Sequence, residues 1–185
     1  MLENMDSNAI FITGISSSGK TTLAKKIINN LRKDSFSVIL LDGTEMYEQS
    51  ILFPFKGHEI KDREQRASHH IRLVKWISLQ GILPIVAFIG QPLKIRDLWS
   101  SELDDWKEIY LKCDVETCIA RDNKNLYNNS NKKNFKQSII GLDDKFNEPK
   151  NTWITLNTAR VNAEEVLDSA LKEVNKIDWL KKYKL

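Results

Sequence analysis

The chain has 185 residues, of which 41% are hydrophobic and 29% charged, a composition typical of one globular domain with its own core. Its net charge of +3 comes from basic residues interleaved with acidic ones, which argues against a nucleic-acid polymer as a partner. No apolar stretch approaches the ~20 residues that span a bilayer, and residues 1–8 lack the layout of a signal peptide. The basic end at residues 181–184 indicates a solvated terminus, so we expect a cytoplasmic protein without a membrane partner.

Short apolar segments alternate with longer amphipathic ones. In chain order, the pattern predicts a strand at 9–13, a helix at 20–32, a strand at 38–41, a helix at 62–80, a strand at 82–89, a helix at 95–103, a strand at 108–111, a helix at 115–121, a strand at 153–156 and a helix at 163–175. Nearly continuous apolar strands between helices are typical of a parallel sheet covered on both faces. We therefore predict one three-layer α/β domain over residues 1–185, with a parallel five-stranded sheet.

A glycine-rich motif lies between the first predicted strand and the first predicted helix. Residues 14–21 (GISSSGKT) match the pattern G-x-x-x-x-G-K-[ST] of the P-loop NTPase fold. The glycines allow a tight turn whose amides reach phosphate oxygens, Lys20 adds a charge for the β- and γ-phosphates, and Thr21 offers a ligand for Mg²⁺. The predicted ATP-binding residues of this loop are Gly14, Ser16, Ser17, Ser18, Gly19, Lys20, Thr21 and Thr22. The alternative is a Gly/Ser-rich turn with an incidental lysine.

A carboxylate ends the second predicted strand. Asp42 stands before Gly43, and in α/β sheets ligands lie beyond the carboxyl ends of the strands. Asp42 is therefore placed either to hold Mg²⁺ or to accept the proton of an attacking hydroxyl. The alternative is a turn aspartate, since Asp-Gly is a common turn pair.

Further motifs carry a resemblance to a known family. They are residues 41–43 (LDG), 62–64 (DRE), 86–89 (VAFI), 108–111 (EIYL), 116–118 (ETC), 121–122 (RD), 124–127 (KNLY), 140–144 (IGLDD) and 148–149 (EP). Together with the P-loop they make residues 10–158 similar to adenylylsulfate kinase, which phosphorylates the 3′-hydroxyl of adenosine 5′-phosphosulfate. The resemblance implies a kinase that uses ATP and Mg²⁺ on a small nucleotide acceptor, with a lid near 123–149. Members often form dimers, so a homodimer is expected by analogy.

The resemblance also implies roles for single residues. Arg63 resembles the family's substrate-binding arginine, and Ile89 lies in a matching strand that borders the substrate. Arg121 and Lys124 fall where the lid meets the nucleotide, and an arginine there stabilises charge on the transferring phosphoryl group; the alternative is two solvated charges. Phe146 either lines the substrate site or packs in the core. The catalytic residues would be Lys20, Asp42 and Arg121.

Several positions depart from the family pattern. Thr44 replaces a second aspartate, Tyr47 an arginine, His58 a base-stacking phenylalanine, Arg66 an asparagine and Gly90 a serine. The first four join the predicted substrate-binding residues. Because the departures avoid the ATP side, they indicate an altered acceptor. Cytidine diphosphoramidate kinase of capsule biosynthesis is a relative of this type, and the pocket residues alone leave both acceptors open.

Two other classes of function compete with a kinase. A regulatory NTP-binding switch needs a nucleotide-sensing loop and a water-positioning residue, and neither is evident in the sequence. A non-catalytic interaction protein with a vestigial P-loop gains some weight from the missing carboxylate at Thr44.

The adjacent His69 and His70 point in different directions on one helix and cannot share a metal, so we expect them at the surface or behind the site.

Overall fold

The computed structural model describes residues 6–49, 51, 60–123, 125–127 and 139–185. The strands are β1 (Asn8–Thr13), β2 (Val38–Asp42), β3 (Leu83–Ala87), β4 (Asp105–Lys112) and β5 (Ile154–Asn157). The helices include α1 (Lys20–Lys33), α2 (Gly43–Glu48), α3 (Ile60–Leu79), α4 (Ile95–Glu102), α5 (Val115–Ala120) and α6 (Ala163–Val174), and a 3-10 helix (Asp178–Tyr183) follows them.

The five strands form one parallel sheet in the order β2-β3-β1-β4-β5. β1 lies at its centre, where Ile10 is in register with Ile85 of β3 and with Lys107 of β4. The predicted α/β class and the parallel five-stranded sheet are therefore confirmed. Every predicted strand and helix is present, with ends that shift by up to three residues.

Apolar layers cover both faces of the sheet. Along β1, Ile10 and Ile12 belong to the cluster that packs on α1 and α6, while Phe11 belongs to the cluster that packs on α3 and α4. This division follows from the two-residue period of a strand, which sends neighbouring side chains to opposite faces. The Phe11 ring stacks on Trp99 of α4 with 4.0 Å between ring centroids. Full burial of one such side chain contributes about 1.5–3 kcal/mol, so both layers stabilise the central strand.

The carboxyl ends of the strands share one edge of the sheet. The register pairs Asp42 at the end of β2 with Ala87 at the end of β3, and Thr13 at the end of β1 with Tyr110 of β4. Because parallel strands end together, the segments that follow β1, β2 and β3 converge there. Ligands of open α/β sheets bind at this edge.

Two regions differ from the prediction. The six-residue helix α2 was not predicted, because it is too short to show helical periodicity; Asp42 begins it by accepting hydrogen bonds from the Thr44 and Glu45 amides. The end of the chain is docked rather than solvated. Tyr183 is 1% exposed, its hydroxyl lies 2.6 Å from Ser78 Oγ, and its carbonyl accepts from the Ser37 amide. The lysines around it do remain at the surface.

Within the described ranges, none of the helices combines the length and the apolar composition that crossing a bilayer requires.

Candidate functional site

The loop between β1 and α1 adopts the tight turn that its glycines predict. Gly14 has a φ of 146°, and a Cβ there would lie 2.7 Å from the Leu111 carbonyl oxygen, so this position has no room for a side chain. Ser17 and Gly19 have left-handed backbone angles, with φ of 61° and 99°. Gly19 precedes α1 without any side-chain cap, which leaves the first amides of the helix without an intrahelical partner. Such a helix start attracts phosphate.

A cavity of about 780 Å³ opens at this edge of the sheet. One side, which we call the loop wall, consists of Ser16, Ser17, Gly19, Lys20, Thr21 and Thr22. A second group of lining residues, the helix wall, consists of Thr44, Tyr47, Arg63, Arg66, Ala67, His70, Phe88, Ile89, Gly90 and Gln91. Asp42 lies at the junction of the two walls. The cavity is large enough for two small ligands side by side.

Lys20 is the charged group of the loop wall. Its Nζ donates to the Ile15 carbonyl at 2.6 Å, which folds the side chain back over the loop. Burial lowers the pKa of Lys20 to about 8, and the nearby Asp42 carboxylate opposes this shift. The buried ammonium group is poorly hydrated, so water would screen its attraction to an anion such as a phosphate only weakly.

Thr21 and Asp42 form an oxygen pair that suits Mg²⁺. The Thr21 hydroxyl donates to the Asp42 carboxylate, which is 7% exposed and is held in place by the α2 amides. In the described residues, no cluster of three or more His, Cys, Asp or Glu side chains forms a metal cage. Mg²⁺ fits a site with few protein oxygens, because it keeps its waters and takes further ligands from a substrate's phosphates.

Tyr127 and Thr158 hold the phosphate loop in place, and Arg121 in turn holds Thr158. The Tyr127 hydroxyl donates to the Ser16 carbonyl at 2.9 Å, and the Thr158 hydroxyl donates to the Ser18 carbonyl at 3.0 Å. Arg121, at the end of α5, lines the cavity and donates to the Thr158 carbonyl at 2.9 Å. Thr158 was not predicted, since no local motif marks it.

Two arginines dominate the helix wall. Arg63 and Arg66 lie on one face of α3, and the Arg66 guanidinium lies 5.6 Å from the centre of the Tyr47 ring. Burial is the main cause of a lowered pKa of Arg63; the charge of Arg66 lowers it further, and Asp144 opposes the shift. This part of the cavity is therefore suited to an anionic group.

A buried ion pair connects the two walls. The Arg96 side chain donates to Glu108, which is 0% exposed, and to the Gly90 carbonyl at 2.9 Å. The same Glu108 carboxylate accepts from the Thr13 hydroxyl at 2.6 Å, immediately before the loop wall begins. The segment after β3 is thereby held against the end of β1.

The cavity brings together most of the predicted site residues. Gly14 and Ser18 do not line it; they shape the loop from behind. Phe146 does not line it either, and its ring stacks on Tyr110 at 5.8 Å between centroids. His58 and Lys124 lie outside the described residues.

His70 shows what the sequence prediction missed. His69 is exposed as expected, but His70 is 6% exposed and lines the cavity. Arg63, Arg66, Ala67 and His70 follow the spacing i, i+3, i+4, i+7, which places all four on one helix face. The buried apolar residues Ile71, Val74 and Ile77 of the same helix form a neighbouring face, and their hydrophobic pattern obscures this one in the sequence.

Comparisons with known proteins point to one family. The family model described as adenylylsulphate kinase matches residues 6–157. A cytidine diphosphoramidate kinase from Campylobacter jejuni is 31% identical over 168 residues, which cover 89% of this chain and 95% of the relative. An adenylyl-sulfate kinase from Bacillus licheniformis is 31% identical over 170 residues, which cover 91% of this chain and 85% of the relative.

A solved structure supports the fold. The APS kinase of Mycobacterium tuberculosis, crystallised with AMPPNP and APS, matches with a TM-score of 0.77 over 93% of this chain and 98% of that one. The two sequences are 21% identical, so the likeness extends to the fold and no further.

Proposed function

The chain belongs to the adenylylsulphate kinase family, and from that premise we propose that it uses Mg-ATP to phosphorylate a hydroxyl group of a small nucleotide. The observation that carries the proposal is the convergence of Lys20, Thr21 and Asp42 on one cavity whose helix wall holds Arg63 and Arg66. One wall would bind the phosphates of ATP and the other the anionic part of the acceptor.

The residues of the chain have separate tasks in this scheme. The loop amides and Lys20 hold the phosphates, and Arg121 stabilises charge that develops on the transferring group. Thr21 would hold Mg²⁺ with Asp42 as the candidate second ligand, and the ion would supply positive charge against the phosphates of ATP. The acceptor oxygen forms a bond to the γ-phosphorus as the bond to the ADP oxygen breaks, and the hydroxyl proton leaves to a base. Asp42 would act either as this base or as the Mg²⁺ ligand beside Thr21.

The acceptor is a nucleotide that offers its ribose 3′-hydroxyl. Cytidine diphosphoramidate is our first candidate and adenosine 5′-phosphosulfate the second. The two relatives are equally similar to this chain at 31% identity, so overall similarity does not distinguish the two acceptors, and the residues that line the cavity provide the criterion. Thr44, Tyr47 and Arg66 all line the helix wall, which supports an acceptor other than the one that the usual family pattern binds.

A panel of acceptors tests the proposal. Adenosine phosphosulfate, cytidine diphosphate and cytidine diphosphoramidate are each assayed for ADP release with Mg-ATP, and the product is identified by ³¹P NMR. We expect ADP release that depends on one acceptor, with a new 3′-phosphate. Steady ADP release without any acceptor would favour a regulatory NTP-binding switch, and failure to bind Mg-ATP would favour a non-catalytic protein.

A further inference from the structure

His70 has a buried nitrogen without a protein partner. Its side chain is 6% exposed, and in the described part of the chain no group lies within hydrogen-bond distance of Nε2. A buried polar atom left without a partner costs about 1–3 kcal/mol, so protein interiors rarely keep one. The cost would be offset if a ligand of the cavity completed the hydrogen bond.

The position of His70 shows which ligand would do so. It shares the cavity-lining face of α3 with Arg63 and Arg66, and none of the three residues belongs to the loop wall. The phosphates of ATP would lie against the loop wall, so the ligand nearest to His70 would be the acceptor. This step rests on the proposed function, because it takes the helix wall as the acceptor's side.

The His70 imidazole packs against apolar neighbours, an environment that favours its neutral form. The imidazole meets the Phe88 ring edge to face at 5.8 Å between centroids, and Ala67 lies one turn earlier on the helix. Burial lowers the pKa of His70 to about 4, so the ring is neutral at neutral pH and does not attract phosphate as a cation.

We propose that His70 is a specificity-determining residue, whose neutral Nε2 hydrogen-bonds to an uncharged polar group of the acceptor while Arg63 and Arg66 bind its anionic groups. An uncharged amide or amine, a hydroxyl or a ring nitrogen satisfies this requirement. In a nucleotide, such a group comes either from the base edge or from an amide at the end of the phosphate chain.

Kinetics of three variants test the assignment, using the acceptor that the wild-type enzyme prefers. His70→Phe keeps an aromatic ring against Phe88 but removes the nitrogens, and we expect the KM for the acceptor to rise about tenfold while the KM for ATP stays unchanged. His70→Gln offers an amide near the Nε2 position and should recover most of the loss. His69→Phe, on the exposed neighbour, is the matched control and should behave as wild type.

The two sources of the uncharged group give different results with matched acceptors. If the base edge is the partner, His70→Phe reduces the preference between cytidine and uridine diphosphates. If a terminal amide is the partner, the variant reduces the preference between cytidine diphosphoramidate and cytidine diphosphate. Either result supports the assignment, and an unchanged preference in both pairs overturns it.

An NMR titration makes the test independent of folding and of turnover. The chain has three histidines, so the imidazole ¹⁵N signals of the ¹⁵N-labelled wild-type protein can be assigned with the two variants. We expect saturating acceptor to shift the His70 Nε2 signal, and Mg-ATP alone to leave it in place. An unshifted signal under acceptor saturation overturns the role of His70, whereas absent ADP release with every acceptor overturns the kinase itself.

Discussion

The loop wall and the helix wall of the cavity are built in different ways. The loop wall comes from one continuous segment, residues 16–22, at the turn between β1 and α1. The helix wall is assembled from α2, one face of α3 and the segment after β3, which meet only because the strands β2 and β3 end side by side. The loop wall would bind the phosphates of ATP, which are the same in every reaction. The helix wall comes from several segments, so single substitutions there can change which acceptor it binds.

Loss of Lys20 would give the largest effect and would act on the loop wall alone. Lys20→Ala should lower kcat/KM by about a thousandfold or more, because one charge that stabilises the transferring phosphoryl group is lost. Lys25→Ala, on the exposed side of the same helix, is the control. The fold should survive, since removal of a partly desolvated cation does not open the core. Activity within tenfold of wild type would contradict the assignment of the loop wall.

A substitution in the Arg96–Glu108 pair should affect both walls at once, because the pair connects them. Arg96→Met leaves the fully buried Glu108 carboxylate without its cation, which costs about 3–5 kcal/mol in comparable proteins. Urea unfolding measures this loss, and the KM values for ATP and acceptor should both rise. The double variant Arg96→Met, Glu108→Leu removes the uncompensated charge and should regain most of the stability. If the single variant loses less than about 1 kcal/mol, the pair does not hold the walls together.

Two substitutions of Asp42 distinguish its role in catalysis from its role as the cap of α2. Asp42→Asn keeps an oxygen that can accept from the Thr44 and Glu45 amides, so α2 should remain capped. The charge is lost, and we expect kcat to fall about a hundredfold, as when a general base or a metal ligand is removed. Asp42→Ala should lose about 1 kcal/mol of stability in addition. A fall in kcat that high Mg²⁺ reverses would identify Asp42 as the metal ligand rather than the base.

His70, in the helix wall, should make the free energy of unfolding fall as the pH is lowered. Its pKa in the folded protein is about 4, below the ordinary value near 6.5, so the unfolded chain takes up a proton first as the pH falls. The stabilising contribution is therefore present above pH 6.5 and is lost progressively between pH 6.5 and 4. Urea unfolding should show wild type losing roughly 2 kcal/mol more than His70→Phe between pH 7 and pH 5. Parallel losses in both proteins would contradict this.

The same contrast explains how far the sequence could predict the site. The P-loop positions were predictable because the chemistry lies in one contiguous turn, and the buried strands were predictable from their apolar runs. His70 was not, because its role depends on which side of α3 meets the cavity, and two faces of that helix are buried for different reasons. The docking of Tyr183 against Ser78 depends on contacts between residues 105 positions apart, which no local pattern encodes.

Substitutions of Arg63 and Arg66 should give the smallest change in kinetics, and they compare two positions within the helix wall. Each neutral variant, Arg63→Gln or Arg66→Gln, should raise the KM for the acceptor about tenfold, since a hydrogen bond to a charged group contributes about 1.5–3 kcal/mol. The KM for ATP should not change, because neither side chain belongs to the loop wall. Arg66→Lys restores the charge but not the guanidinium group over the Tyr47 ring, so partial recovery would show that the shape of the cation matters as well as its charge. If either variant raises the KM for ATP as strongly as that for the acceptor, the two walls do not bind separate substrates.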